Sequence, residues 1–354
     1  MLISPYNNYC LAWDRIYVKS NGRIPCWCDA GEPFTILQTN PQQDFVTDVV
    51  NSPQMREMRL KTLQDQQPYN TYCQNCCFFH TIGRGRNFRH KDHKPETSQS
   101  LSRKIDAALH TLQKGVKQRR WPLGSIDEIT EIQFEPSFAC NLRCPGCLHG
   151  WHPAPMQSEE KPYVMPYEHY AAILDSLQNH HIKVRKISYI GRGEPTLNKQ
   201  FPQMLTLTRE LFPKTLLSFD TNATQEFQSE YLLADWIHCS IDGSTEESYA
   251  GYRYGGEFLR TIRFMRTAVY HKMMSRAKCQ IIWKYILFDH TAKEHLLNQA
   301  QQMALNLGID ELQFIITPVG SYDGSITPSQ TTIGAMEDYI RRNDIFHNTT
   351  IRLS

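Results

Sequence analysis

Apolar residues along this chain follow two alternating rhythms. Short dense runs at Ile129 to Phe138, Ile187 to Ile190, Leu216 to Phe219, Trp236 to Ile241, Cys279 to Ile286 and Glu311 to Thr317 have the length and apolar content of strands buried on both faces. Between them, longer stretches carry helical spacing. Pro166 to Leu177 opens on a proline suited to a first turn and continues through Ala171, Ile173, Leu174 and Leu177, while Leu259 to Tyr270 and Thr291 to Leu307 read as further helices, the last ending before Gly308. Repeating strand and helix units predict an α/β sheet whose chemistry gathers at the strand ends. The first third is less regular. Ile16 to Val18 and the turn pair Asn21-Gly22 predict a hairpin of short strands, followed by a helix around Pro53 to Leu63. Residues after Gly320 carry short polar repeats that specify no site and are expected to cover the mouth of the sheet.

Candidate chemistry sits directly after the first dense run. Cys140-Asn141-Leu142-Arg143-Cys144-Pro145-Gly146-Cys147 spaces three thiolates as CxxxCxxC. Three soft ligands suit three corners of a cubane iron-sulfur cluster and leave its fourth iron open, whereas structural zinc wants a fourth protein ligand, for which His149 and His152 are near at hand. The next strands end in polar signatures. Ile190 leads into Gly191-Arg192-Gly193-Glu194-Pro195-Thr196-Leu197, where the glycines permit close backbone approach and the Glu194 carboxylate can accept from an ammonium. Phe219 leads to Thr221-Asn222-Ala223, and Ser240-Ile241 to Asp242-Gly243. In a parallel sheet such groups converge on one mouth.

From about Ile129 to Val319, this order of segments resembles the S-adenosylmethionine (SAM) radical enzyme superfamily. The resemblance implies a partial (β/α)6 TIM-like barrel in which Cys140, Cys144 and Cys147 ligate a catalytic 4Fe-4S cluster and Glu194 binds the SAM amino group, with Gly191 and Gly193 shaping its loop. It makes Thr221, Asn222, Ser240 and Asp242 candidates for SAM contact or strand-end support, and Arg253 a candidate partner of the SAM carboxylate. In this family a reduced cluster cleaves SAM to methionine and a 5'-deoxyadenosyl radical, which abstracts a substrate hydrogen. An external one-electron donor such as flavodoxin or ferredoxin is implied. Many members carry an aromatic residue immediately before the third cysteine, sheltering the adenine; here that residue is Gly146, with Leu148 and Trp151 as candidate substitutes. Tyr163, Tyr189, Tyr252, Trp283 and Tyr285 are candidate cavity residues, each expected to pack rather than react, and Cys239 and Cys279, inside strands, read as small core residues.

Six further cysteines are N-terminal: Cys10, Cys26, Cys28, Cys73, Cys76 and Cys77. Four thiolates on a hairpin and a CxxC loop could hold zinc. From about Tyr9 to Phe79 the pattern also resembles the auxiliary-cluster SPASM and twitch domains of radical SAM enzymes, placed here before the barrel. That resemblance implies one auxiliary cluster, also 4Fe-4S, with Cys10, Cys26, Cys73 and Cys76 as ligands and Cys28 and Cys77 as alternatives. The expected division is an iron-sulfur domain over 1–80, a basic linker and helix over 81–125, the barrel over 126–320 and a covering extension over 321–354.

Composition narrows the reading. With 354 residues, net charge +2 and 40% hydrophobic residues, the chain can build one sizeable core and a smaller domain. A mean hydropathy of -0.50 and no apolar run of about 18 residues argue against a membrane span. Nine of the eleven cysteines fall in two local groups rather than being spread as staples, and the first residues lack a signal-peptide pattern, so a cytoplasmic location is expected. Arg84 to Arg120 carries eleven Lys/Arg against three Asp/Glu and an apolar stripe through Leu101, Ile105, Leu112 and Val116, which reads as a helix with a solvated basic face. Steering of an anionic substrate or RNA is the alternative use of that surface. The expectation is therefore a radical SAM oxidoreductase acting on a small metabolite or peptide side chain. An RNA-modifying radical SAM enzyme and a non-enzymatic zinc scaffold are the alternatives.

Overall fold

The computed structural model of the chain describes residues 14–25, 35–63, 122–147, 163–321 and 324–353. Eight parallel strands make one sheet in the order β1 (Arg15–Val18), β4 (Glu128–Phe134), β5 (Lys183–Tyr189), β6 (Leu216–Thr221), β7 (Trp236–Ser240), β8 (Gln280–Leu287), β9 (Glu311–Ile316) and β10 (Thr349–Leu353). A separate antiparallel pair joins β2 (Arg23–Pro25) to β3 (Thr35–Gln38). Helices Tyr167–Asn179, Phe201–Leu211, Phe258–Ser275, Glu294–Leu307 and Ile333–Arg342 connect successive strands from β4 to β10, except that only the short 3-10 turn Ser229–Leu233 lies between β6 and β7.

Each helix buries one stripe. In Tyr167–Asn179 that stripe is Tyr170, Ile173, Leu174 and Leu177, the spacing one helical face requires. Its partners are strand residues of one parity: Phe134 meets Tyr170 edge-on at 4.9 Å, Tyr189 and Phe219 meet Phe201 at 5.2 and 5.3 Å, and Phe314 meets Tyr339 at 6.3 Å. Edge-to-face pairs of this kind contribute roughly 0.5–1.5 kcal/mol each beyond the area they bury. Strand side chains alternate between faces, so residues of the other parity, among them Glu131, Lys186, Asp220, His238 and Lys284, turn away from these helices. Helix ends are set locally. Gly308 closes Glu294–Leu307 at φ +73°, and Thr332 caps Ile333–Arg342 by accepting from the Ala335 N–H.

Two features differ from the sequence expectation. The Asn21-Gly22 turn forms, with Gly22 at φ +80° and its N–H on the Lys19 carbonyl, but β1 and β2 do not pair as a hairpin. Instead β1 lies parallel to β4, with Ile16 opposite Ile132 and Val18 opposite Phe134. Ile16, Tyr17 and Val18 are all buried, the condition of a strand covered on both faces rather than of a hairpin with a wet side. The sheet also continues past residue 320, because β10 pairs with β9 from Thr349 opposite Leu312 to Leu353 opposite Ile316. Six strands, β4 to β9, supply the expected (β/α)6 unit, and β1 and β10 extend it at its edges. The cysteines at 10, 26, 28, 73, 76 and 77, and the basic stretch 84–120, lie outside the described residues. No described helix is long and apolar enough to cross a membrane.

Candidate active site

The C-terminal ends of β4, β5, β6 and β7 bring the predicted loops together. After β4, the loop from Glu135 reaches Cys140, Cys144 and Cys147, which gather in one small cluster with Leu142, Tyr252, Phe288 and Ile326. N–H groups point at two of the sulfurs: Leu142 N lies 3.5 Å and Asn222 Nδ2 3.9 Å from Cys140 Sγ, and Arg253 Nη1 lies 3.7 Å from Cys144 Sγ. Burial pushes the Cys140 thiol up to about 12, with Glu194 and the other two cysteines adding to the shift, and burial raises Cys144 against the pull of Arg253. Burial thus disfavours the thiolate form of both. As ligands they would have to lose their protons, and donors aimed at sulfur favour the thiolate form. Among the described residues, no group of three or more His, Cys, Asp or Glu is arranged to hold a single metal ion.

Glu194 ends the loop after β5 and is 2% exposed. Its Oε1 accepts from Thr196 N, Thr196 Oγ1 and Thr221 Oγ1 at 3.2, 2.6 and 2.7 Å, and its Oε2 from Asn222 N at 2.6 Å. Burial raises its pKa, and these hydrogen bonds oppose the rise. With one donor among the described residues, Oε2 keeps lone-pair capacity for another N–H. The loop is sewn to the cysteine loop by the Glu194 N–H on the Ala139 carbonyl at 2.9 Å. Both glycines are required by space. A Cβ on Gly193 would lie 2.2 Å from Ser137 O, and one on Gly191 would lie 2.4 Å from the Glu135 side chain.

Asn222 bridges the two loops, donating to Asn141 Oδ1 at 3.0 Å while accepting from Thr224. Asp242 is fully buried, with Oδ2 2.6 Å from the Arg253 guanidinium and Oδ1 accepting from Ile286 N at 2.7 Å. Arg253 is thus engaged with Asp242 and the Cys144 sulfur. Ser240 ends β7, level with Lys284 on β8. The structure accordingly brings Cys140, Cys144, Cys147, Gly191, Gly193, Glu194, Thr221, Asn222, Asp242 and Arg253 into one linked network.

Several members of that network were not predicted as site residues. Glu135, 0% exposed, accepts from Tyr17 OH at 3.1 Å and from Arg192 N at 2.7 Å, tying β1 to the glycine loop. Thr196 was readable as a hydroxyl two residues after a carboxylate. Tyr252 accounts for Gly146: a Cβ there would meet Tyr252 OH and Gly320 O, each at 2.8 Å. The aromatic surface beside the third cysteine therefore belongs to Tyr252, whose ring lies 4.3 Å from that of Phe288. Leu148 and Trp151 lie outside the described residues. Tyr189, Trp283 and Tyr285 are sealed in the packing, as are Cys239 and Cys279.

Comparison with known proteins defines the class. Residues 134–277 match the family model described as the Radical SAM superfamily. That stretch is a radical SAM domain, and such a domain implies SAM and an iron-sulfur cofactor. No curated protein matches the chain in sequence. Among solved structures, a radical SAM methyltransferase from Sphaerobacter thermophilus is similar at 13% identity and TM-score 0.42, covering 62% of this chain and 65% of its own. The chain thus spans just under two thirds of that protein's length. A structure of TYW1 with a lysine-pyruvate adduct bound matches at 13% identity, TM-score 0.39, covering 62% of this chain and 74% of that one. Methylornithine synthase matches at 9% identity, TM-score 0.38, covering 73% and 79%.

Proposed function

We propose that Cys140, Cys144 and Cys147 ligate a 4Fe-4S cluster and that the strand ends beside it bind SAM for oxidation of a small metabolite or a peptide side chain. The observation that carries this reading is the convergence of three thiols, with N–H donors aimed at two of their sulfurs, on the buried Glu194 carboxylate. When bound, the reduced cluster and SAM supply a 5'-deoxyadenosyl radical able to remove a substrate hydrogen.

The chain's own residues then have separable tasks. Glu194 would hold the SAM amino group, its carboxylate kept in place by Thr196, Thr221 and the Asn222 backbone. Gly191 and Gly193 let that loop lie against the cysteine loop, and Asn222 and Asn141 fix the spacing of the two. Arg253, anchored by Asp242, presents its guanidinium to the Cys144 sulfur and lowers the cost of negative charge there. Tyr252 packs against Gly146 beside the third cysteine. Upstream, Cys10, Cys26, Cys73 and Cys76 are proposed as ligands of a single auxiliary cluster, with Cys28 and Cys77 as alternatives.

Anaerobically reconstituted protein, reduced with dithionite and offered candidate metabolites and peptides, tests this reading by mass spectrometry of both substrate and deoxyadenosine. A loss of two hydrogens from a substrate, matched to deoxyadenosine formed, is expected. A mass gain of one methyl group instead would replace oxidation by methyl transfer.

A further inference from the structure

Inside the barrel, one layer below these strand ends, three charged or ionisable side chains meet on adjacent strands. Asp220 of β6 stands opposite His238 of β7, and Lys284 of β8 stands opposite Ser240. His238 Nδ1 lies 2.8 Å from Asp220 Oδ1, and Lys284 Nζ lies 2.6 Å from Asp220 Oδ2, so each carboxylate oxygen takes one partner. Their chain neighbours Phe219, Ile237, Cys239, Trp283 and Tyr285 are 0% exposed and face the helix layer. The trio faces the other way, with side chains 21–28% exposed.

Folding alone gives little reason for this arrangement. Taking an ion pair out of water costs more than it commonly returns, and apolar residues of similar size would serve a purely structural core as well or better. The partner count is also incomplete. An ammonium has three N–H groups, and Lys284 uses one; His238 commits Nδ1 and leaves Nε2. Neither has another hydrogen-bond partner among the described residues. Asp220 is fully used: burial would raise its pKa, but the His238 hydrogen bond and the Lys284 charge hold it well below the ordinary carboxylate range. Asp220 directly precedes Thr221, which hydrogen-bonds Glu194, and the Lys284 carbonyl accepts from Ile241 N, directly before Asp242.

We propose that Lys284 and His238, steadied by Asp220, form the subsite for an anionic group of the substrate, a carboxylate or a phosphate. The proposal rests on reading the strand ends as the SAM site, which places substrate in the barrel interior. Lys284 supplies the charge and two free N–H groups. His238 supplies an adjacent ring nitrogen that becomes a second donor when protonated. Asp220 is a positioning residue: it holds the imidazole and the ammonium side by side.

Residue-resolved labelling tests the subsite without knowing the substrate. Full-length reconstituted protein is treated with diethyl pyrocarbonate, and modification of His238 and Lys284 is followed by peptide mass spectrometry. Inorganic phosphate or succinate is added at an ionic strength matched with potassium chloride, with the exposed His347 as internal reference. We expect saturable, several-fold slowing at His238 and Lys284 by at least one probe, and none at His347. The protecting probe distinguishes a phosphorylated substrate from a carboxylic one. Slowing at His238 should vanish in Lys284→Gln. Should that variant not fold, the double variant Asp220→Asn with Lys284→Met removes both charges together and should lose protection equally. Failure of both probes to exceed chloride, no reaction at His238 at all, or protection that persists in a folded variant would overturn the proposal. Deoxyadenosine formation is a separate assay, so absence of anion protection in the wild type beside intact SAM cleavage sinks the subsite alone.

Discussion

Replacing Gly193 by Ala is the sharpest single perturbation of the proposed SAM loop. The added Cβ would lie 2.2 Å from Ser137 O and 2.4 and 2.5 Å from Phe138 C and O. These are backbone atoms of the segment leading into the cysteines, so no flexible side chain can swing aside, and one loop must move by more than about 1 Å to restore van der Waals contact. Such overpacking costs typically about 1–3 kcal/mol. The displacement strains the Glu194 N–H bond to Ala139 O and moves the carboxylate that Thr196, Thr221 and Asn222 hold. If the whole cost appears in the bound state, SAM affinity falls by roughly 5- to 150-fold. Urea unfolding would measure the stability change, and isothermal titration calorimetry on cluster-loaded protein would measure SAM affinity. Gly334 is the control: a Cβ there meets nothing within 4 Å, so Gly334→Ala should leave stability unchanged or raise it by up to about 1 kcal/mol. Wild-type stability and wild-type SAM affinity in Gly193→Ala would refute the steric argument.

Further outcomes follow from the charged and titratable groups. Lys284→Met leaves the Asp220 carboxylate without its ammonium and should cost about 2–4 kcal/mol in urea unfolding, the partial exposure of the pair keeping it below the loss for a fully buried one. Adding Asp220→Asn should recover most of that loss; a double-mutant cycle with no coupling would contradict it. Because the Asp220 pKa is depressed, its contribution is fully present above the ordinary carboxylate range and is lost as pH falls toward the folded-state value. His169 is 5% exposed, its Nε2 has no partner among the described residues, and burial lowers its pKa. The unfolded chain therefore binds this proton more readily, so stability should fall as pH drops from about 7 to 5, and His169→Leu should flatten that slope in unfolding curves. An unchanged slope would show that His169 does not titrate between the two states.

The strand and helix alternation from β4 to β9 was legible because the helix-facing positions of these strands are apolar and buried, which leaves a short apolar run at each strand. The cysteine loop, the glycine-glutamate loop and the polar strand ends were legible for a related reason: each follows its strand immediately. β1 was not legible as a sheet strand. It has four residues, and its neighbour β4 lies more than a hundred residues away, so local turn chemistry at Asn21-Gly22 pointed to a hairpin instead. β10 carries the mixed polarity of an edge strand, with Thr350 and Arg352 both reaching Glu311. The Gly146 and Tyr252 complement needs three-dimensional packing to be seen. The Asp220, His238 and Lys284 group did leave a trace, one charged or ionisable residue at an inward position in each of three strands, but partners 18 and 64 residues apart are joined only by register.

The central claim is that Cys140, Cys144 and Cys147 hold the cluster that activates SAM. Its most direct test is reductant-dependent 5'-deoxyadenosine formation by anaerobically reconstituted wild type and by Cys140→Ala, Cys144→Ala and Cys147→Ala, with iron and zinc counted in each and the clusters followed by low-temperature electron paramagnetic resonance. The account predicts SAM cleavage in the wild type, its abolition in all three variants, and the loss of one cluster's iron with it. Zinc in place of iron at this site, or undiminished deoxyadenosine formation in the three variants, would contradict it.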